Sequence, residues 1–414
     1  MIRCALLFIA LTIVGCADAA PVSGSKAAAN EPIVRVRIGR SVAELDIRGP
    51  REVKLWTGEG DSTTIRVAAP LTIRRSDGQW SINSRAATSF AGGPLHIDPV
   101  GDALIVVNDR PYPGAMRLVV EGNAALADQF HVINAVPIEA YLPGVLEREL
   151  KAGWSLAAYH AQAIAARSYA IAHHTQHASM REWDVEATQR SQAYRGQATR
   201  RVAIQAAQDT AGLVLTVHDR IIPAMYSSSC GGVSLTASDA FGGPDVPGHL
   251  GLHHGDCCAA SSDWRWGPIR RDRATLSKRI AAWGNYQGSQ AAAKLGPINA
   301  ITIVDRNAHK RPTRFGVADR SGHEIFFPAD QFRIACNFRG SRSGAPALAG
   351  RNRLLSSYVD VAVSNDQVIF SDGRGRGHGV GMCQYGAQHM GRAGQHAIAI
   401  LNEYYPTARV QRAY

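Results

Sequence analysis

The sequence predicts an α+β protein in successive parts, and three observations carry that reading. Residues 34–136 break into short alternating apolar segments separated by turn signals. Residues 138–177 carry helical spacing in Ala, Leu, Glu and Gln. The remainder mixes strand-like and helix-like runs around a glycine-rich loop at 373–381.

The first 15 residues read as an export signal: Met1-Ile2-Arg3 is a basic start, and an apolar run too short to span a bilayer follows, ending in small residues. Two cleavage sites compete. Ile13-Val14-Gly15-Cys16 has the form of a lipobox, which predicts a lipid on Cys16 and a membrane anchor. Ala17-Asp18-Ala19 suits ordinary cleavage and a plain secreted protein. Residues 16–32 read as a linker, 33–131 as a β-rich part, 132–235 as a helical core and 236–414 as an α+β part that packs back on it. Within the core, helices are expected at 138–150, 155–177 (with Ser155 as N-cap) and 198–209, and strand at 214–226. Beyond it, 242–255 reads as loop, 271–283 as helix, 300–304 and 357–369 as containing strands, and the last helical region as ending near Tyr405-Pro406.

At 414 residues, with 45% hydrophobic and 19% charged, the chain has the composition of a soluble globular protein. A formal charge of +11 points to an anionic partner. Export and the lack of any recognition motif argue against nucleic acid and leave an envelope surface or an acidic glycan.

The chemistry-bearing candidates begin with three carboxylates, Glu139, Glu147 and Glu149. Residues turn about 100° each along a helix, so Glu147 and Glu149 point in nearly opposite directions. Glu149 lies over Val145 and Leu146 on the apolar face, while Glu147 has Lys151 four residues ahead in an exposed ion-pair arrangement. A carboxyl on an apolar face keeps its proton to higher pH and suits a general acid; the alternative is a core glutamate paired with an arginine. On the second helix, Gln162 and Tyr169 share one line and His160, Arg167 and His174 another, about 140° away. Gln162 and Arg167 therefore cannot both aim at one atom. Arg167 fits either a buried ion pair or an anionic substrate group.

Cys230, Cys257, Cys258, Cys336 and Cys383 remain once Cys4 and Cys16 are set aside, an odd set. His253-His254 with Cys257-Cys258 and Cys230 has zinc-ligand residue types, but the spacing is cramped. Outside the cytoplasm a disulfide from Cys230 to Cys257 or Cys258 is the favoured reading, with no metal or cofactor expected. A Cys/His hydrolase pair built from His378 with Cys230 or Cys383 is a weaker alternative.

Several segments, in order, resemble the stage II sporulation protein D family, also called the SpoIID/LytB family. They are Val132-Ile133-Asn134-Ala135-Val136-Pro137-Ile138-Glu139-Ala140-Tyr141-Leu142-Pro143-Gly144-Val145-Leu146 followed by Glu149, then Ala161-Gln162-Ala163-Ile164-Ala165-Ala166-Arg167-Ser168-Tyr169-Ala170. Next come Ser191-Gln192-Ala193-Tyr194-Arg195-Gly196, Thr210-Ala211-Gly212 and Tyr226-Ser227-Ser228-Ser229-Cys230-Gly231-Gly232. The last is Gly375-Arg376-Gly377-His378-Gly379-Val380-Gly381-Met382-Cys383-Gln384-Tyr385-Gly386-Ala387.

The resemblance implies a lytic transglycosylase acting on peptidoglycan glycan strands, stripped of stem peptides in founding members. One acidic residue protonates the glycosidic oxygen between N-acetylmuramic acid and N-acetylglucosamine, then takes the proton of the muramic C6 hydroxyl as a 1,6-anhydro ring closes. The nucleophile belongs to the substrate, so one carboxyl suffices where water-using glycosidases need two. The family's catalytic glutamate falls on Glu149 and its helix arginine on Arg167. Gln162, Tyr169, Gln192, Tyr194, Ser229, His378 and Gln384 are the further candidate glycan contacts, His378 because its glycine neighbours let backbone approach a sugar closely. The family often has E-M-P where this chain reads Glu149-Leu150-Lys151, which loosens the expected turn. Zinc in some members sits just before the Q-x-Y-x-G element, where residues 186–191 offer no ligand set. Some relatives are described as enhancers of partner amidases, so a non-catalytic glycan-binding role beside a cell-wall amidase stands as the alternative.

Overall fold

The computed structural model describes residues 30–58, 64–83, 88–120, 128–189, 191–340, 347–348 and 350–414. The expected leader, Cys4, Cys16, the linker up to residue 29 and one of the turn signals of the β-rich part, which the sequence places at Glu121-Gly122-Asn123, lie outside them. The fold class is α+β, with the strands concentrated at the N-terminal side.

The β-rich part is a pair of sheets. One has seven strands, with Ile33–Val42 beside Phe130–Pro137; the other has six, centred on Glu44–Arg48 and Leu71–Ser76. Alternation explains them: in Glu44–Arg48, Leu45 and Ile47 are buried while their neighbours face solvent. Phe130–Pro137 crosses the boundary expected at 131/132 and runs directly into the first helix. That helix is therefore welded to the sheet, and Ile138, Tyr141, Leu142, Val145 and Leu146 share one core with the strands.

The helical core holds α1 (Ile138–Glu149), α2 (Leu156–His177) and α3 (Arg201–Asp209). Ser155 caps α2 as expected, accepting from the Ala158 N–H at 3.3 Å. Gly144 on α1 is required by close approach: a Cβ there would collide with the Gly196 carbonyl and the Tyr194 ring. The expected strand at 214–226 is three short pieces, Leu213–Val217, Arg220–Ile221 and Tyr226–Ser227.

A second core forms further along the chain, from α4 (Ala237–Phe241), α5 (Arg273–Gln287), α6 (Gln290–Ala293), α7 (Ala329–Asn337) and short antiparallel sheets. The chain then returns. Met382–Cys383 pairs in parallel with Tyr226–Ser227, α8 (Gln384–Arg392) and α9 (Ala397–Tyr404) pack on α2, and Arg409–Arg412 pairs with Leu213–Val217. This return places the glycine-rich closing motif against the end of α1.

Candidate functional site

Glu149 is the last residue of α1. Protein surrounds most of it, yet part of its surface stays open. The Ala193 N–H donates to Oε1 at 2.8 Å, and Gln384 Nε2 donates to Oε2 at 3.3 Å. Burial pushes its carboxyl above the usual range and outweighs the two donors, which pull the other way. The result is a carboxyl that holds its proton longer than an ordinary glutamate and is still gripped by fixed donors when it ionises.

Gln384 also donates to Gln162 Oε1 at 3.4 Å, so Gln162, Gln384 and Glu149 form a row. Gln192 supports the same region from inside: it accepts from the Tyr141 hydroxyl at 3.0 Å and donates to the Ala166 carbonyl and the Tyr226 hydroxyl. Gln162 and Gln192 are fully buried, which makes them framework around Glu149 rather than open contact surface. Tyr194 is buried too, its hydroxyl donating to Asn134 Oδ1 at 2.9 Å, but it also edges the cleft.

That cleft, about 1240 Å³, runs between the core and the C-terminal part. Tyr169, Ser191, Ala193 and Tyr226 line one wall; His378, Phe241, Trp283, Tyr286, Asp330 and Arg333 line the other. Asp330 is the one carboxylate among the described lining residues, and Arg333 holds it at 2.6 Å. His378 accepts from the Val380 N–H at Nδ1 and bonds the Tyr226 backbone; burial pushes it down to about 4, so the ring is neutral at ordinary pH. Trp283 and Tyr286 went unread in the sequence. Their spacing of three on a helix is the signal that they share a face, and Tyr286 is 51% exposed.

Three expectations need correction. Arg167 does not reach the cleft. It is fully buried, and its Nε and Nη2 donate to Glu139 Oε1 and Oε2 at 2.9 and 2.8 Å; the remaining donors go to the Ala207 and Leu213 carbonyls and the Thr210 hydroxyl. The Gly212 N–H and the Tyr414 hydroxyl also bond Glu139, so this is a largely buried knot tying α1, α2, the turn at Gly212 and Tyr414 beyond the strand Arg409–Arg412. Glu147 does not pair with Lys151. It accepts from the N–H groups of Thr199 and Arg200 at 2.7 and 2.9 Å, capping α3 from another helix at its N-cap residue Arg200; α3 begins at Arg201 rather than 198. Lys151 turns to the Tyr385 hydroxyl instead.

The third correction concerns the cysteines. Cys230 Sγ lies 3.9 Å from Cys257 Sγ and 3.8 Å from Cys258 Sγ, and all three are free thiols, since a disulfide needs about 2.05 Å. Ser229 stands by this cluster, its N–H donating to the Arg376 carbonyl, and not among the residues that line the cleft.

A family model described as stage II sporulation protein, SpoIID, matches residues 127–217. The matched residues include Glu149, Arg167, Gln192 and Tyr194 and stop before His378 and Gln384. The chain is similar to an uncharacterized protein of Brachyspira hyodysenteriae, 25% identical over 384 residues, 91% of this chain and 92% of that protein. It is also similar to a Bacillus subtilis protein named amidase enhancer, 26% identical over 286 residues. That match takes in 64% of this chain but only 39% of the Bacillus protein.

Proposed function

We propose that this protein is an exported lytic transglycosylase of the cell envelope, lipid-anchored through Cys16. It cleaves the bond between N-acetylmuramic acid and N-acetylglucosamine in peptidoglycan strands to leave 1,6-anhydromuramic ends. The observation that carries the reading is the setting of Glu149: one proton-holding carboxyl bound to Ala193, which lines the cleft, while Asp330, the one carboxylate among the described lining residues, is bound by Arg333. A reaction whose nucleophile is the substrate's own C6 hydroxyl needs one such group; a water-using glycosidase needs two. Glu149 gives its proton to the leaving oxygen, and the resulting carboxylate, held by the Ala193 and Gln384 donors, takes one back from the C6 hydroxyl. A basic chain of net charge +11 suits strands that expose lactyl carboxylates.

The test is mass spectrometry of purified glycan strands incubated with the protein, looking for anhydro ends. The similarity to a protein named amidase enhancer favours a second reading, in which the cleft holds glycan and the protein stimulates a partner amidase without cutting. Absence of anhydro ends together with faster stem-peptide release by an added amidase selects that reading.

A further inference from the structure

Four cysteine sulfurs from three separate segments converge at one point. Cys230, Cys257, Cys258 and Cys383 offer Sγ atoms that all lie within 4.8 Å of one another. Cys230, Cys258 and Cys383 are buried and Cys257 is partly exposed. Zinc holds thiolate sulfurs at about 2.3 Å in a tetrahedron, which places neighbouring sulfurs about 3.8 Å apart. The distances from Cys230 to Cys258 and Cys257 are 3.8 and 3.9 Å.

The surroundings favour thiolates. The Gly232 N–H donates to Cys230 Sγ at 3.3 Å; the N–H groups of Cys230 and Gly386 donate to Cys383 Sγ at 3.4 and 3.3 Å. Cys383 is also the N-cap of α8, where the helix dipole favours negative charge. Positive φ at Gly231 and Gly232 lets the chain fold back on Cys230 so that this amide can face the sulfur. A buried cation stands alongside. Arg311 is wholly enclosed, donates to the Cys230 carbonyl at 2.9 Å, and has no carboxylate within ion-pair distance among the described residues. Four thiolates around one divalent ion leave two negative charges, which supply the counter-charge that Arg311 lacks.

We infer that Cys230, Cys257, Cys258 and Cys383 form a structural zinc site. Binding releases the thiol protons as the four sulfurs become ligands. All four positions are filled by protein, so the ion has no open place for substrate and acts as a clamp. It fastens the turn at Cys230, just after the strand Tyr226–Ser227, and the closing motif to the loop carrying Cys257-Cys258, and Cys383 directly precedes Gln384, the residue that reaches Glu149.

The site is tested on the full chain, purified with zinc under mild reduction. Metal analysis is expected to find about one zinc per chain, and cobalt substitution to give the intense thiolate-to-metal absorption of a tetrahedral all-sulfur site. Cys258→Ser and Cys383→Ser are expected to lose the metal, whereas Cys336→Ser, remote from the cluster, keeps it. Should the ligand variants not fold, thiol counting on the unmodified chain decides: four cysteines are expected to be shielded from a thiol reagent with metal and to become reactive with a chelator. Folded metal-free protein carrying disulfides among these cysteines overturns the proposal, as does zinc retained in both ligand variants or thiols equally reactive with and without chelator.

Discussion

The side chain of Gln384 donates to Glu149 across 235 residues of sequence, with Nε2 3.3 Å from Oε2. Its amide is held in turn by Gln162 Oε1 at 3.4 Å. The closing motif therefore does not simply wall the cleft; it supplies one of the two donors that favour the ionised form of the carboxyl at the end of α1 and help aim it.

Replacing Gln384 by Met removes a donor that favours the ionised form. Glu149 then holds its proton to higher pH, and the fall of activity on the alkaline side moves upward. A hydrogen bond to a charged group is worth about 1.5–3 kcal/mol, so kcat is expected to drop at least about tenfold. Gln162→Leu, which only frees the Gln384 amide, is expected to shift the profile the same way by less. A pH–rate profile unchanged in Gln384→Met removes this positioning role.

Arg167→Ala is expected to unfold or strongly destabilise the protein, since breaking one side of a buried pair costs about 3–5 kcal/mol. Lysine is not a rescue, because Arg167 uses both edges of its guanidinium fork on Glu139 and two backbone carbonyls. Thermal melts and circular dichroism check this. A folded, stable Arg167→Ala protein that had lost only turnover would return the arginine to the cleft.

Glu147→Gln tests the cap on α3. Burial of Glu147 acts to raise its pKa, but the amides of Arg200 and Thr199 win and hold it low. Its stabilisation is therefore present above the unfolded pKa and lost as pH falls through the folded one. The variant is expected to lose about 1 kcal/mol near neutral pH, the usual worth of an N-terminal cap, and to differ less from the parent in acid. Glycan cleavage by the folded fraction stays near normal. A melting difference that does not shrink in acid would contradict the cap.

These contrasts mark what the sequence holds. Glu149 was legible because its signal is local: two apolar neighbours one turn back and a motif around them. The Gln384 motif was legible as a motif, but its contact with Glu149 is made only when the chain returns along Tyr226–Ser227. Arg167 was read onto a helix face correctly and still left with two fates, because Glu139 lies on a different helix and the crossing of α1 and α2 decides between them. Glu147 was assigned to Lys151 on helical spacing, and amides from a distant segment outcompeted that exposed partner. The strands Pro312–Asp319 and Glu324–Pro328 were missed although Phe315 and Val317, then Ile325 and Phe327, alternate around Ser321-Gly322. Cys383 was weighed with His378 and not with the other cysteines, since nothing in its spacing shows that three segments meet.

Glu149→Gln joins activity and stability in one experiment. Gln keeps the size of the side chain but cannot give or recover a proton, and general acid-base assistance contributes about 10²–10⁴-fold, so anhydro-end formation is expected to fall at least that far. Stability moves the other way with pH. The Glu149 carboxyl is raised by burial, so between its unfolded and folded pKa the native chain binds more protons than the unfolded one, and stability falls as pH rises through that window. The penalty is absent below the unfolded value, about 4.3, and complete above the folded one. The variant escapes it. Its melting temperature relative to the parent is therefore expected to climb from acid toward neutral pH, over the same range in which the parent loses activity as its acid ionises. A carboxyl that burial had not raised would show no such climb. A variant that kept near-normal cleavage would remove Glu149 from the chemistry, and one whose relative stability stayed flat with pH would remove the raised pKa.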